Sequence, residues 1–324
     1  LQGYYYTRKI LSDPIKIDSK SIEFKKYEDK IDPILQFIHT YNVKSVGWVS
    51  FLLKHAETID ETKCQIEYVL DVKHLNVLEK NDIAPFRQMS YDIECYSDKI
   101  GQFPIPSDKN CPVIQIGMTI QSCNSFNFEK QLILTLKKCD KIEKENTEVV
   151  SFVSEREMLL AFKDVVNKTD PDIIYSYNGY RFDDSYLVER AKLLGIEKQF
   201  CDCSRFRETP GKLVKKTFSS SAYGTSEWNF LNLPGRLNFD IYIYINRDFK
   251  LDSYKMDAVA EEFLCESLKN TFEGNDKNKI LINPIFHRKF RVGQGLIIKD
   301  HFTEENLGKI IGIGENYVTT EKDC

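Results

Sequence analysis

Ser90-Tyr91-Asp92-Ile93-Glu94-Cys95 sits inside a run, Gln88 to Tyr96, that reads as a β-strand. Side chains alternate faces along a strand, so Asp92 and Glu94 share one face and Ile93 points to the core. Two neighbouring carboxylates repel each other, and a fold tolerates that where cations compensate. Further on, Tyr177-Asn178-Gly179-Tyr180-Arg181-Phe182-Asp183 ends one strand and opens a helix, presenting a third carboxylate, Asp183. Three acids at strand ends suit hard cations and point to two-metal phosphodiester hydrolysis. Acids also alternate with apolar residues on ordinary surface strands, so the pair alone decides little. The segments around it form one ordered string: Phe103-Pro104-Ile105-Pro106, then Cys111-Pro112-Val113-Ile114-Gln115-Ile116-Gly117.

Working outward, Val113–Gln121 and Gln131–Thr135 read as further strands, and Ile173-Ile174-Tyr175 as a short buried one. Ser154-Glu155-Arg156-Glu157 is a capping box that opens a helix through Val166, with Met158, Leu159 and Phe162 at helical spacing. Asp184 to Leu194 reads as a helix closed by Gly195.

This string resembles the proofreading exonuclease domain of family B DNA polymerases, in the delta-like branch that includes polymerases of large nucleocytoplasmic DNA viruses. The first exonuclease motif is similar to Ser90 to Cys95, and the second to Asp170-Pro171-Asp172-Ile173-Ile174 through Asn178 to Phe182-Asp183. Phe239-Asp240-Ile241-Tyr242 to Lys250-Leu251-Asp252-Ser253-Tyr254-Lys255-Met256-Asp257 is similar to the stretch preceding the third motif. Tyr27-Glu28, Ile31-Asp32-Pro33, Phe37-Ile38-His39 and Gly47-Trp48-Val49 resemble the amino-terminal domain of the same enzymes. The resemblance covers roughly residues 4 to 264 and implies an α/β, RNase H-like exonuclease domain at 83–274. Before it stands a small α+β amino-terminal domain, 1–82, with its boundary at Glu79-Lys80-Asn81-Asp82. After it, 275–324 reads as a β-rich insertion or the incomplete end of the exonuclease domain.

The resemblance also implies the chemistry. Asp92 would bridge two Mg²⁺ or Mn²⁺ ions, Glu94 would hold the first and orient the water, and Asp183 would hold the second. Asn178 and Phe182 resemble residues that touch the terminal nucleotides, although a Phe in such a turn is equally a core residue. Arg181, Lys212, Lys215 and Lys216 are candidate phosphate contacts, and lysines are also what any solvated loop carries. Leu213 to Phe218 and Trp228 to Leu231 read as two arms of a hairpin, or else as a surface loop. The family's fourth element, a Tyr with an Asp four residues later on a helix, has no good match. Tyr317-Val318-Thr319-Thr320-Glu321 has the spacing, with Asp323 close by, but its β-formers argue for a strand. The true third motif is expected beyond Cys324, and the polymerase palm is not in this sequence.

At 324 residues, with 42% hydrophobic and 29% charged content, two domains are expected. A net charge of −4 does not announce a nucleic-acid binder, and a local basic groove is compatible with it. No apolar run reaches the length of a membrane span. The chain starts at Leu1, not Met, and reads as a piece of a longer polypeptide. Nine Cys without a secretory leader suit reduced thiols in an intracellular protein, and Cys201-x-Cys203 alone is a weak metal signal. The expected setting is the nucleus or a cytoplasmic viral replication site. The expected partners are a single-stranded 3′ end and primer–template DNA, the rest of a polymerase chain, and a sliding clamp or processivity factor. Gly293-Gln294-Gly295 lacks the helix and acid of a nucleotide loop. Two alternatives stand beside the exonuclease region of a polymerase: a free-standing DEDD-type exonuclease, and a catalytically incomplete DNA-binding or partner-binding module.

Overall fold

The computed structural model describes residues 13–265, apart from 18–19, 26, 28–29, 124, 126–128, 141, 143–145 and 221–223. Beyond them it describes 279–281, 290, 292, 295–299, 304–313 and 317–320. The chain divides into two compact units, Leu1–Asp82 and Ile83–Cys324.

The first unit is built from short pieces. Its helix Pro33–Tyr41 starts where Asp32 accepts a hydrogen bond from the Ile34 N–H at 2.8 Å, with Pro33 in the first turn. Its apolar stripe runs through Ile34, Leu35, Ile38 and Tyr41, of which Ile38 is half-buried and the other three are exposed. The reason is the scale of the strands: three-residue strands pair as Trp48–Ser50 with Asn76–Leu78 and Ala56–Thr58 with Tyr68–Leu70. Pairs that short offer a helix no continuous apolar layer.

The second unit holds a six-stranded sheet. Its elements are β1 (Arg87–Cys95), β2 (Val113–Ser122), β3 (Lys130–Leu136), β4 (Thr147–Phe152), α1 (Glu155–Thr169), β5 (Ile173–Ser176) and α2 (Asp183–Leu193). A hairpin follows, β6 (Lys212–Ser220) and β7 (Gly224–Asn232), then β8 (Leu237–Asp240), α3 (Ile241–Asp248) and α4 (Met256–Leu264). The sheet order is β4-β3-β2-β1-β5-β8. β1, β2 and β3 run antiparallel, whereas β5 is parallel to both β1 and β8.

Met89, Tyr91 and Ile93 of β1 alternate inward and join Ile116, Leu134, Met158, Phe162 and Leu187 in one core. Ser154 caps α1 by accepting from the Glu157 N–H at 3.3 Å. Gly195 follows α2 with φ +69, the left-handed turn that glycine makes without strain. Glu155, in the first turn of α1, does more than favour the helix dipole. It forms a buried ion pair with Arg190 of α2 at 2.6 Å and accepts the Val113 N–H at 2.9 Å. Arg190 also donates to the carbonyls of Pro106 and Asp108, which ties down the loop carrying Phe103.

Strands Lys279–Leu281, Gly295–Lys299, Glu304–Ile313 and Tyr317–Thr320 form a separate four-stranded sheet with Ile310, Val318 and Thr320 buried. Residues 317–320 are thus a strand, and Glu321, Asp323 and most of 293–295 lie outside the described residues. Among the described residues no helix is long and apolar enough to cross a membrane, and no disulfide joins the eight described cysteines. Cys201 and Cys203 are buried, and the Cys203 thiol donates to the Phe200 carbonyl at 3.0 Å, which is a packing role.

Candidate active site

The pairing of β5 creates the site. β5 stops at Ser176, and its last contact with β1 is Tyr175 opposite Ser90. Beyond that point the edge of β1 from Tyr91 onward is open on that side. The chain turns through residues 177–182 and re-enters as α2, whose first residue is Asp183. The Ile93 N–H lies near the carboxyls of Asp92 and Asp183 and works to lower the pKa of each, against the larger effect of burial.

Asp92 and Glu94 lie on the outward face of β1, both exposed at the residue level, as the period of two required. The Asp92 carboxyl is partly desolvated, which raises its pKa. Asp183 is 4% exposed. Burial first, and then the charge of Asp92, push it up to about 7. Two acids thus crowd with no lysine or arginine paired to either among the described residues, and a hard divalent ion fits that pair. Glu94 shares the face, but Asp92, Glu94 and Asp183 do not bring three ligand atoms within 4.8 Å of one another. The described group that does is Asp98, Asp108 and Cys111. There Asn110 already occupies both acids, donating its Nδ2 to Asp98 at 3.0 Å and its backbone N–H to Asp108 at 2.9 Å. That group is a loop brace rather than the expected site.

The loop between β5 and α2 carries the other predicted contacts. Asn178 has φ +64, and its Oδ1 is buried without a hydrogen-bond partner among the described residues. Gly179 fits where a Cβ would meet Ser176 Oγ at 2.4 Å. Arg181 donates to Ser226 Oγ on the hairpin at 2.8 Å, and its guanidinium lies 5.5 Å from the Tyr242 ring centre. Phe182 is half-buried between Tyr186 at 5.1 Å and Phe103 at 4.9 Å, centroid to centroid. It therefore packs on the core while keeping an exposed aromatic neighbour, since Phe103 is 73% exposed.

Lys215 and Lys216 project from opposite faces of β6. Lys215 pairs with Glu227 across the hairpin at 3.4 Å, and Lys216 lies over the Phe230 ring. Phe230 in turn stacks on Tyr180 at 4.9 Å, and Phe218 on Trp228 at 5.8 Å. The hairpin that the sequence left open against a loop is a regular nine-pair ladder.

Three residues escaped the sequence reading. Asp184 is 2% exposed, accepts from the Tyr91 hydroxyl and accepts the Leu231 N–H at 2.7 Å, so it joins β1, α2 and the hairpin. Burial pushes it up to about 7. Asp240, at the end of β8, accepts the N–H groups of Asn178, Tyr180 and Tyr242. Phe103 was read only as part of a motif. Its side chain at the rim was signalled by nothing local, because its neighbour Phe182 is 79 positions away in a different element.

The profile described as "DNA polymerase family B, exonuclease domain" matches residues 24–259. This chain belongs to the family B DNA polymerases. It is similar to the DNA polymerase delta catalytic subunit of Arabidopsis thaliana, 36% identical over 268 residues, which is 80% of this chain and 24% of that protein. It is also similar to the delta catalytic subunit of Dictyostelium discoideum, at 35% over 75% of this chain and 22% of the relative. A DNA polymerase of Pyramimonas orientalis virus is 24% identical across 83% of this chain and 33% of its own length. The chain therefore spans about a quarter to a third of these family members. The matched part is the region that carries the exonuclease domain.

Proposed function

We propose that the second unit is the proofreading 3′–5′ exonuclease domain of a DNA-directed DNA polymerase, hydrolysing the terminal phosphodiester at a 3′ end. The observation that carries this is the pair Asp92 and Asp183, two carboxylates crowded at an open strand edge, where the charge of Asp92 helps raise Asp183. The sheet order supports an RNase H-like arrangement: three antiparallel strands, then two parallel ones, with helices following β4 and β5. In this reading residues 1–82 are the polymerase's amino-terminal domain and 275–324 an insertion.

Asp92, Glu94 and Asp183 would hold two Mg²⁺ or Mn²⁺ ions. Bound there, such ions supply water activation and stabilise the leaving oxygen. The chain's own residues do the positioning. Phe182 and Phe103 give the terminal bases an aromatic surface, and stacking of that kind is indifferent to sequence. Asn178 offers a side-chain amide to the terminal nucleotide. Arg181 reaches the hairpin at Ser226, and Lys215 and Lys216 stand on its opposite faces, so a phosphate backbone passing either face would meet positive charge. The DNA partner is a single-stranded 3′ end delivered from primer–template, and the setting is a nuclear or viral replication site, where a sliding clamp would act on the whole polymerase.

The test uses the full-length protein and a 5′-labelled single strand with Mg²⁺ or Mn²⁺. A ladder shortening from the 3′ end is expected, and Asp92→Ala plus Glu94→Ala should abolish it. Unchanged hydrolysis by that double variant in a clean preparation would overturn the site. Metal-independent binding with no hydrolysis by the wild type would favour the DNA-binding module instead. A 3′ ladder from a protein that cannot extend primers would favour the free-standing exonuclease.

A further inference from the structure

Asp240 ends β8 directly beside Ser176, the last residue of β5, because the two strands pair in parallel with these residues opposite each other. Its side chain is 4% exposed, and a carboxylate buried that deeply needs donors. One oxygen accepts the N–H groups of Asn178 and Tyr242, each at 2.9 Å, and the other accepts that of Tyr180 at 3.0 Å. The bond from Tyr242 caps α3, an ordinary helix-start function for Asp. The other two reach sideways into the loop between β5 and α2. They hold Asn178 at φ +64, the left-handed region that Asn tolerates better than most residues. Asp183 stands further on, at the head of α2, and none of these three bonds goes to it. Asn178 and Tyr180 are thus the loop residues that Asp240 holds, and of the two it is Asn178 whose side-chain Oδ1 is buried with no hydrogen-bond partner among the described residues.

We infer that Asp240 is a positioning residue for the nuclease reaction, setting through two loop N–H groups the direction of the Asn178 side-chain amide. The inference rests on the reading of Asn178 as a contact to the terminal nucleotide. Asp240 itself lies under the loop and touches no DNA.

The experiment is single-turnover digestion of a 5′-labelled single strand by the full-length protein, with Asn178→Ala, Asp240→Ser and the double variant. Serine keeps a helix cap for α3 but is too short to serve the loop. Asn178→Ala should slow the reaction roughly tenfold or more. Asp240→Ser should match it, the double variant should be no slower than either, and the Mg²⁺ midpoint should not move. Residues that act as one unit give that non-additive pattern. If the two effects multiply, or the Mg²⁺ midpoint shifts, Asp240 acts elsewhere and the inference falls. Full activity of Asp240→Ser overturns it as well. Full activity of Asn178→Ala alone would instead remove the Asn178 contact, a failure visible before Asp240 is touched. If Asp240→Ser does not fold, Asp240→Asn, which keeps an acceptor for Asn178 and Tyr242, should slow digestion with the same non-additivity.

Discussion

The two ends of β5 carry acids in opposite company. At its amino end, Asp170 meets two arginines, Arg205 at 3.0 Å and Arg236 at 2.6 Å, and Arg205 also reaches Asp172 at 2.8 Å. Burial works to raise Asp170, but the hydrogen bonds and charges of the two arginines outweigh it and hold the carboxyl below its ordinary value. At the carboxyl end, Asp183 and Asp92 face each other, and Asp183 rises to about 7. One strand thus separates a braced cluster from a frustrated one. Folded proteins pair buried charges unless something else needs them unpaired, so the unpaired end is where function is read.

Asp183→Ala should have the largest effect on activity. Exonuclease turnover by the full-length protein should fall roughly a hundredfold or more. The metal-free melting temperature should hold or rise, because the substitution relieves a like-charge contact. A large drop in melting temperature would make Asp183 a structural helix cap.

Arg236→Ala is the matching change at the braced end. Its side chain is 1% exposed and also serves the carbonyls of Cys203 and Pro171. Removing it should cost about 3 kcal/mol of stability. The turnover rate, measured well below melting, should stay unchanged. A selective loss of turnover would erase the distinction between the two ends.

Gly179→Ala probes the functional end more gently. The added Cβ would sit 2.6 Å from Ser176 Cβ and 3.4 Å from Asp183 Oδ2, so the loop must shift. Exonuclease activity should fall about tenfold with the far-ultraviolet circular dichroism unaltered. Wild-type activity would show that the loop's exact path does not matter.

Lys215→Ala should do least. Its partner Glu227 and Lys215 itself are more than half exposed, so stability should change by under about 1 kcal/mol. If Lys215 meets a phosphate, the salt dependence of single-strand binding should lose about 0.7 from its log–log slope. An unchanged slope would reduce Lys215 to a hairpin brace.

The functional end was partly legible in the sequence, and for physical reasons. Period-two alternation put Asp92 and Glu94 on one face, and the helix start placed Asp183 beside a strand end. The capping Ser154 and the closing Gly195 were local signals, and local signals survive in sequence. Asp184, Asp240 and the Glu155–Arg190 pair were not legible, because the partners that matter, apart from the Tyr242 N–H that Asp240 caps, lie 35 to 93 positions away. Strand β4 was missed for the same reason: Thr147–Phe152 is an edge strand whose register is set by β3, not by its own pattern. In the first unit, the stripe along the helix Pro33–Tyr41 shows which face is apolar and not whether a layer exists to cover it.

The central claim is that divalent cations complete the unpaired end of β5, and a thermal titration of the full-length protein tests it most directly. Without metal, Asp183 has a folded pKa near 7, raised from an unfolded value of about 3.9. Its neutral form favours the fold, so its stabilising contribution is full below about pH 4 and is lost as pH rises through 7. Asp184 is shifted in the same direction. Metal-free wild type should therefore melt lower at pH 8 than at pH 5.5, and Asp183→Asn should lose part of that difference. Adding Mn²⁺ at pH 8 should raise the melting temperature of the wild type and leave that of Asp183→Asn nearly unmoved. An equal Mn²⁺ shift in both proteins would contradict the claim and send the metal elsewhere.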